Sequence, residues 1–357
     1  MSKGEKKTIL RTKNQERELW IEALRIIACF SVVLLHVSAI GVQNLDIYSR
    51  EWPIYVMFNS ISRIGVCCFV MISGALFLGK SRGENIGEIY KKYIFRIAIL
   101  ILVWSVMFSV FRLLKGDFDI ISLKTIIIEL INGYYHLWYL WMIIGLYAIT
   151  PILNKIIEDE IICKYFLYLS IVVCWIPGML AVVPQVEKIA NIVLQEKMFL
   201  FLPLGYTGYY ILGYYLYNNK IKHRNLLIFT GIIGMIYAVL GGIFYGRDIG
   251  VASQATFNNL TLNIVCYSAM VFIVVKERIG KMQFKRKTKN IIYKLADATL
   301  GIYLVHVVFV QISDYIMKTI NYRYPLLSIL NAFLIFIFGY FITSIIKQIP
   351  CVGKWVV

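Results

Sequence analysis

The chain has 357 residues, of which 59% are hydrophobic and only 16% charged, with a formal net charge of +17 at pH 7. A water-soluble domain normally carries about 25% charged residues, so a single soluble core is excluded; the apolar residues fall in runs of about 20, the length that crosses a hydrocarbon core roughly 30 Å thick. The positive charge sits in short segments between those runs rather than in one basic domain, which argues against a nucleic-acid partner and for Lys and Arg retained in cytoplasmic loops.

Residues 1–18 are polar and basic, with Lys3, Lys6, Lys7, Arg11, Lys13 and Arg17, and read as a disordered cytoplasmic tail. Ten apolar spans follow, at 19–42, 53–79, 93–114, 134–154, 161–182, 200–217, 225–246, 258–276, 297–317 and 325–347. The expectation is an all-α, polytopic transmembrane helical bundle of about ten spans over 19–347, multi-pass in the plasma or inner membrane, with a short cytoplasmic tail at 348–357. Lys and Arg concentrate in alternate loops, which places both termini in the cytoplasm. The basic stretch Lys276–Lys294 reads as a loop that anchors this topology beside anionic lipid. Two outer loops, about 115–133 and 183–199, are long enough for short interfacial helices, and Tyr134, Trp138 and Trp52 sit at span ends, where aromatic rings favour the headgroup layer. The seven cysteines contain no CxxC pair and mostly lie inside apolar runs, as buried small hydrophobes do. No metal site is expected, and the oligomeric state is open.

Ionisable side chains inside a bilayer are costly, so each is a functional candidate. The first span carries Glu22, Arg25 and His36. Arg25 and His36 are almost three helical turns apart, about 16 Å of rise, and share one face; Glu22 lies one turn before Arg25 on that face and can pair with it. A stripe of this kind must face a protein-lined cavity, because lipid cannot solvate it.

These residues resemble the acyltransferase-3 family of membrane O-acyltransferases. Arg25, ten intervening residues and His36 match the family's basic-x10-His motif, and Glu22-Ala23-Leu24-Arg25 is similar to its Asp-x-Leu-Arg segment, with Glu for Asp. The stretch from Arg63 to Ser73-Gly74 resembles Arg-x-Gly-Val-Pro-x-Phe-x-Met-Ile-Ser-Gly, with Cys67 in place of Pro, which leaves the helix without the kink a proline imposes. His136-Leu137-Trp138-Tyr139-Leu140, continuing to Tyr147 and Pro151, and Gly301-Ile302-Tyr303-Leu304-Val305-His306 resemble two later segments. Where the family often carries Arg-x-x-Arg, this chain has Tyr93 and Arg96, with Lys92 beside the first position.

The resemblance implies transfer of an acyl group, commonly acetyl, from cytoplasmic acetyl-CoA or another acyl-CoA to a hydroxyl of a cell-envelope polysaccharide or lipid-linked saccharide. Arg25, Arg96 and Lys92 would hold the phosphates of coenzyme A. His36 would be the general base, with Glu22, paired to Arg25, also among the catalytic residues. Arg63 and Ser73 are candidate donors to the developing oxyanion, and His136, Trp138 and His306 are candidates for orienting the acceptor or His36. The rival readings are a non-catalytic transporter or flippase, since intramembrane Arg and His also mark substrate pathways, and a sensor bundle for an envelope precursor. Against a transporter, the chain shows no repeated halves.

Overall fold

The computed structural model describes residues 17–114, 133–183 and 201–350, with the isolated positions Val186, Ala190 and Gly353. Among the described residues there are helices and no strands. Ten helical elements carry the architecture: α1 (Leu19–Asn44), α2 (Trp52–Phe77), α3 (Ile86–Leu113), α4 (Tyr135–Glu158), α5 (Glu160–Leu180), α6 (Phe201–Asn218), α7 (Arg224–Ile249), α8 (Ala255–Lys281), α9 (Arg286–Thr319) and α10 (Leu327–Gln348). All but α6 are long and apolar enough to cross a membrane. Tyrosines and glycines dilute the hydropathy of α6, yet Tyr209, Tyr210 and Ile211 are fully buried, so it is an interior helix.

Without a hydrophobic force between helices in lipid, small residues that let backbones approach become decisive. Gly74 of α2 shows this: a Cβ there would collide with the Tyr210 carbonyl oxygen of α6, as one at Gly213 would with the Met71 carbonyl oxygen. α1 is packed between α2, α8, α9 and α10, whereas α7 and α10 present rows such as Ile236, Leu240 and Phe244, or Phe341 and Ile345, to the outside, as lipid-facing helices do.

Several expected boundaries shift. The basic stretch from Lys276 to Lys294 is not a loop: α8 continues to Lys281 and α9 begins at Arg286, because Lys and Arg are good helix formers even where they end an apolar run. Residues 1–16 lie outside the described residues, but Arg17 and Glu18, which close the expected tail, are held in place. Arg17 reaches Glu22 and Asp297, and Glu18 accepts from the Trp20 indole and the Tyr217 hydroxyl. α2 is interrupted at Ser62–Arg63, and Cys67 lies within regular helix after that break. The outer loop read at 115–133 falls outside the described residues except for Gly133; the one at 183–199 does so except for Val183, Val186 and Ala190.

The end of the bundle where α1 begins and α10 finishes is called basal below, and the opposite end distal. α2 runs antiparallel to α1, with Asn59 donating to the Leu35 carbonyl at 2.9 Å and Gly65 against Ala28 and Val32. Ser73 and Phe77 are therefore basal, and Arg63 is distal.

Candidate functional site

At the basal end the stripe on α1 becomes a charge network. Glu22 is 4% exposed and lies between two guanidiniums: its Oε1 accepts from Arg17 Nε at 3.0 Å and its Oε2 from Arg25 Nη1 at 3.2 Å. Arg17 Nη2 is 2.7 Å from Asp297 Oδ1 on α9, and the Lys347 ammonium of α10 donates to the Asp297 carbonyl at 2.6 Å. The Glu22 carboxylate, and after it that of Asp297, holds the Arg17 guanidinium above its ordinary pKa range. A buried carboxylate left alone would be expensive; here it organises two cations.

Two cavities, of about 370 and 300 Å³, adjoin at this network and share Arg25, Arg82 and Asp297. The lining of the larger holds four cations, Arg25, Arg82, Arg96 and Lys347, against the single carboxylate of Asp297. Its walls are aromatic: Phe77 stacks on Tyr147 at 4.3 Å and meets Tyr93 edge-on at 4.8 Å, while Phe69, Tyr139 and Tyr303 close the far side. Arg82 is brought there by the turn after α2, where Gly79 has φ +62°. Asn154 of α4 clamps this turn, its Oδ1 accepting from Gly79 N at 3.0 Å and its Nδ2 donating to the Gly83 carbonyl at 2.8 Å.

About three turns further along α1, three imidazoles meet. The His36 ring lies 5.2 Å from His306, and His306 lies 5.5 Å from His136; Tyr135 contacts His36 edge-on at 5.3 Å. His36 is half-buried, whereas His136 and His306 are 2% and 0% exposed. His306 Nδ1 is on the Tyr303 carbonyl at 2.5 Å. Among the described residues His306 Nε2 has no hydrogen-bond partner, while the His136 ring lies against the Leu304 backbone. Among the described residues no group of three His, Cys, Asp or Glu has the arrangement of a metal site.

Tyr303 joins the two regions. Its ring forms part of the wall of the larger cavity and contacts both His136 and His306, at 5.5 and 5.8 Å, and its hydroxyl donates to the His136 carbonyl. One aromatic residue thus separates the cationic cavity from the imidazoles.

The structure brings together most of the residues selected from the sequence. Arg25 and Arg96 both line the larger cavity, and His36, His136 and His306 form one cluster. Arg63 reaches the His36 neighbourhood through an intermediary: its Nη2 donates to Asn59 Oδ1 at 2.8 Å, and Asn59 holds the carbonyl of Leu35, next to His36. The guanidinium lies 4.9 Å over the Phe257 ring, with Nε unpartnered. Three residues stand apart. Ser73 is at the level of the basal cavity, interacting with Tyr139 and Tyr147, so it is not placed to meet an oxyanion at His36. Trp138 is 42% exposed and packs on Tyr206 at 5.6 Å. Lys92 points outward and pairs with Glu88 at 2.8 Å, because residues 89–94 form a π-helical turn that gives the cavity Tyr93 instead.

Arg82, Lys347, Asp297, Asn59 and Tyr303 were not selected from the sequence. The first two carry the signature of ordinary topology anchors; only their convergence on one cavity distinguishes them. Tyr303 belongs to the Gly301–His306 segment, where sequence alone gives it no role.

Residues 18–347, nearly the whole chain, match a family model described as an acyltransferase domain. No curated protein and no solved structure matches the chain.

Proposed function

From the premise that this chain belongs to the acyltransferase-3 family and is a multi-pass membrane acyltransferase, we propose that it moves an acyl group, acetyl in the first instance, from cytoplasmic acyl-CoA to a hydroxyl of a cell-envelope polysaccharide or lipid-linked saccharide. The membrane is then the plasma or inner membrane, with the basal end in the cytoplasm.

The observation that carries the reading is the pairing of a cationic cavity with an imidazole cluster through Tyr303. Coenzyme A is a polyphosphate. Arg25, Arg82 and Arg96 offer guanidinium forks suited to phosphate oxygens, Lys347 adds a point charge, and the aromatic walls suit the apolar stretches of the donor. The ion pair with Glu22 uses one N–H of Arg25, on Nη1, and a guanidinium has five, so the pair can hold the side chain in place while its other donors meet phosphate.

His36 takes the proton of the acceptor hydroxyl as that oxygen attacks the thioester carbonyl. The C–O bond forms, the C–S bond breaks, and the proton passes from His36 to the departing thiolate, leaving an ester and free CoA. Arg63, held by Asn59, supplies positive charge on the distal side where the oxyanion develops. Glu22 acts on the donor side, by setting the position of Arg25, rather than at the reacting atoms.

Mass spectrometry of envelope glycans from cells with and without this protein tests the reading. The expected result is loss of one ester-linked acyl modification, restored by the wild-type chain and not by His36→Ala. An unchanged acylation pattern would overturn it.

A further inference from the structure

We infer that His306 is the positioning partner of His36, a neutral imidazole that accepts the hydrogen bond from the proton-bearing nitrogen of His36 and thereby fixes its tautomer and orientation. This rests on the reading of His36 as the base.

The chemistry follows from one contact. A carbonyl oxygen can only accept, so the His306 Nδ1 on the Tyr303 carbonyl must carry the hydrogen. A neutral imidazole has one N–H and one lone pair; His306 Nε2 is therefore an acceptor, and in this fully buried ring it has no partner among the described residues. Buried polar atoms are nearly always paired, and one that is not calls for an explanation such as a catalytic role or a bridging water. The His36 ring is 5.2 Å away, centroid to centroid, and inclined by 38°. A small ring rotation, or one water, closes that gap.

His36 needs such a partner. To remove a proton it must present a lone pair to the hydroxyl, so its other nitrogen carries hydrogen and requires an acceptor. In serine hydrolases a carboxylate has this place; here the ring neighbours are Tyr135 and His306. Once His36 is protonated, its hydrogen bond to Nε2 becomes charge-assisted and stronger, so the contact favours the reacting state over the resting one.

His136 is the less suitable candidate. It meets His306 edge-on at 88°, and the ring contacts of His36 among the described residues are with Tyr135 and His306. Tyr303 braces the arrangement from both sides, its carbonyl on His306 and its hydroxyl on the carbonyl of His136.

The experiment compares purified full-length wild type, His306→Ala, His306→Gln and His36→Ala for acyl-transfer rate and for thermal stabilisation by free CoA. Removing such a supporting contact typically costs 10- to 100-fold, so kcat of His306→Ala should fall by about that factor. KM for acetyl-CoA and CoA stabilisation should stay at the wild-type values. His306→Gln keeps an acceptor oxygen and should recover several-fold of the loss. Wild-type kcat in His306→Ala would overturn the inference, as would a Gln variant that folds and binds CoA but is no better than Ala. If His306→Ala does not fold, the Gln variant decides: wild-type CoA binding with kcat reduced but measurable supports the role, and kcat as low as in His36→Ala contradicts it. Full activity in His36→Ala would instead sink the base assignment, a separate failure.

Discussion

The basal cavity and the imidazole cluster lie about 16 Å apart along α1 and are built on opposite terms. In the cavity network every charge on α1 has a partner: Glu22 holds Arg17 and Arg25, while the Asp297 carboxylate holds Arg17 and its backbone carbonyl accepts from Lys347. In the cluster, the buried His306 Nε2 has none among the described residues. Breaking a buried ion pair is costly, so the paired end is preformed, and under the proposed function Arg25 would meet phosphate with the N–H groups that Glu22 leaves free. The unpaired end awaits a proton donor. Binding and chemistry are thereby assigned to different ends of one helix, and mutations should separate them.

The largest separation is expected from His36→Ala. Loss of a positioned base is worth typically 10²- to 10⁴-fold, so the initial rate of acyl transfer should fall by that factor while the protein stays folded and still binds CoA. Normal glycan acylation in the mutant would break the comparison. Next comes Arg25→Ala, which should weaken CoA by about 1.5–3 kcal/mol, the worth of one charged hydrogen bond. Arg25→Lys keeps the charge without the bidentate fork and should recover only part of it. Arg82→Ala, at an exposed site on the rim of both cavities, should cost less, about 1 kcal/mol in CoA affinity read by titration, since exposed pairs are worth about 0–1 kcal/mol. Smallest is Lys92→Ala: its ammonium is bound to Glu88 on the outside, and neither CoA affinity nor stability should change measurably. A measurable loss of CoA binding there would return Lys92 to the donor site. Reporter fusions sharpen the picture in space, with Lys285 expected inside and Arg247 outside; Lys285 outside would place the cavity mouth on the wrong side for cytoplasmic acyl-CoA.

What the sequence made legible follows from periodicity. The 3.6-residue repeat alone places Glu22, Arg25 and His36 on one face, and the structure joins Glu22 to Arg25 and carries His36 to the other imidazoles. The ten apolar segments are also present as helices, α6 included, although it is tyrosine-rich. Less visible was anything that depends on a local departure from the regular helix. Tyr93 and Arg96, the two positions of the Arg-x-x-Arg-like segment, both line the cavity, while Lys92, one place earlier in the π-helical turn at Ile89–Ile94, pairs outward with Glu88; charge alone does not tell these neighbours apart. Arg63 meets Asn59 at i,i+4 spacing, across the break at Ser62–Arg63, but spacing does not announce that Asn59 also holds the Leu35 carbonyl. Lys347 and Arg82 were indistinguishable from topology anchors because charge count does not reveal convergence, and Asp297, at the foot of the ninth span, gained meaning only once Arg17 and Lys347 were seen to reach it.

The most direct test of the account is thermal stabilisation by free CoA and by acetyl-CoA, measured on equal amounts of purified wild type, Arg25→Ala and His36→Ala. The account predicts equal protection of wild type by both ligands, undiminished protection of His36→Ala, and a marked loss in Arg25→Ala. Wild-type protection of Arg25→Ala, or loss of protection in His36→Ala, would contradict the division of labour between the two ends of α1.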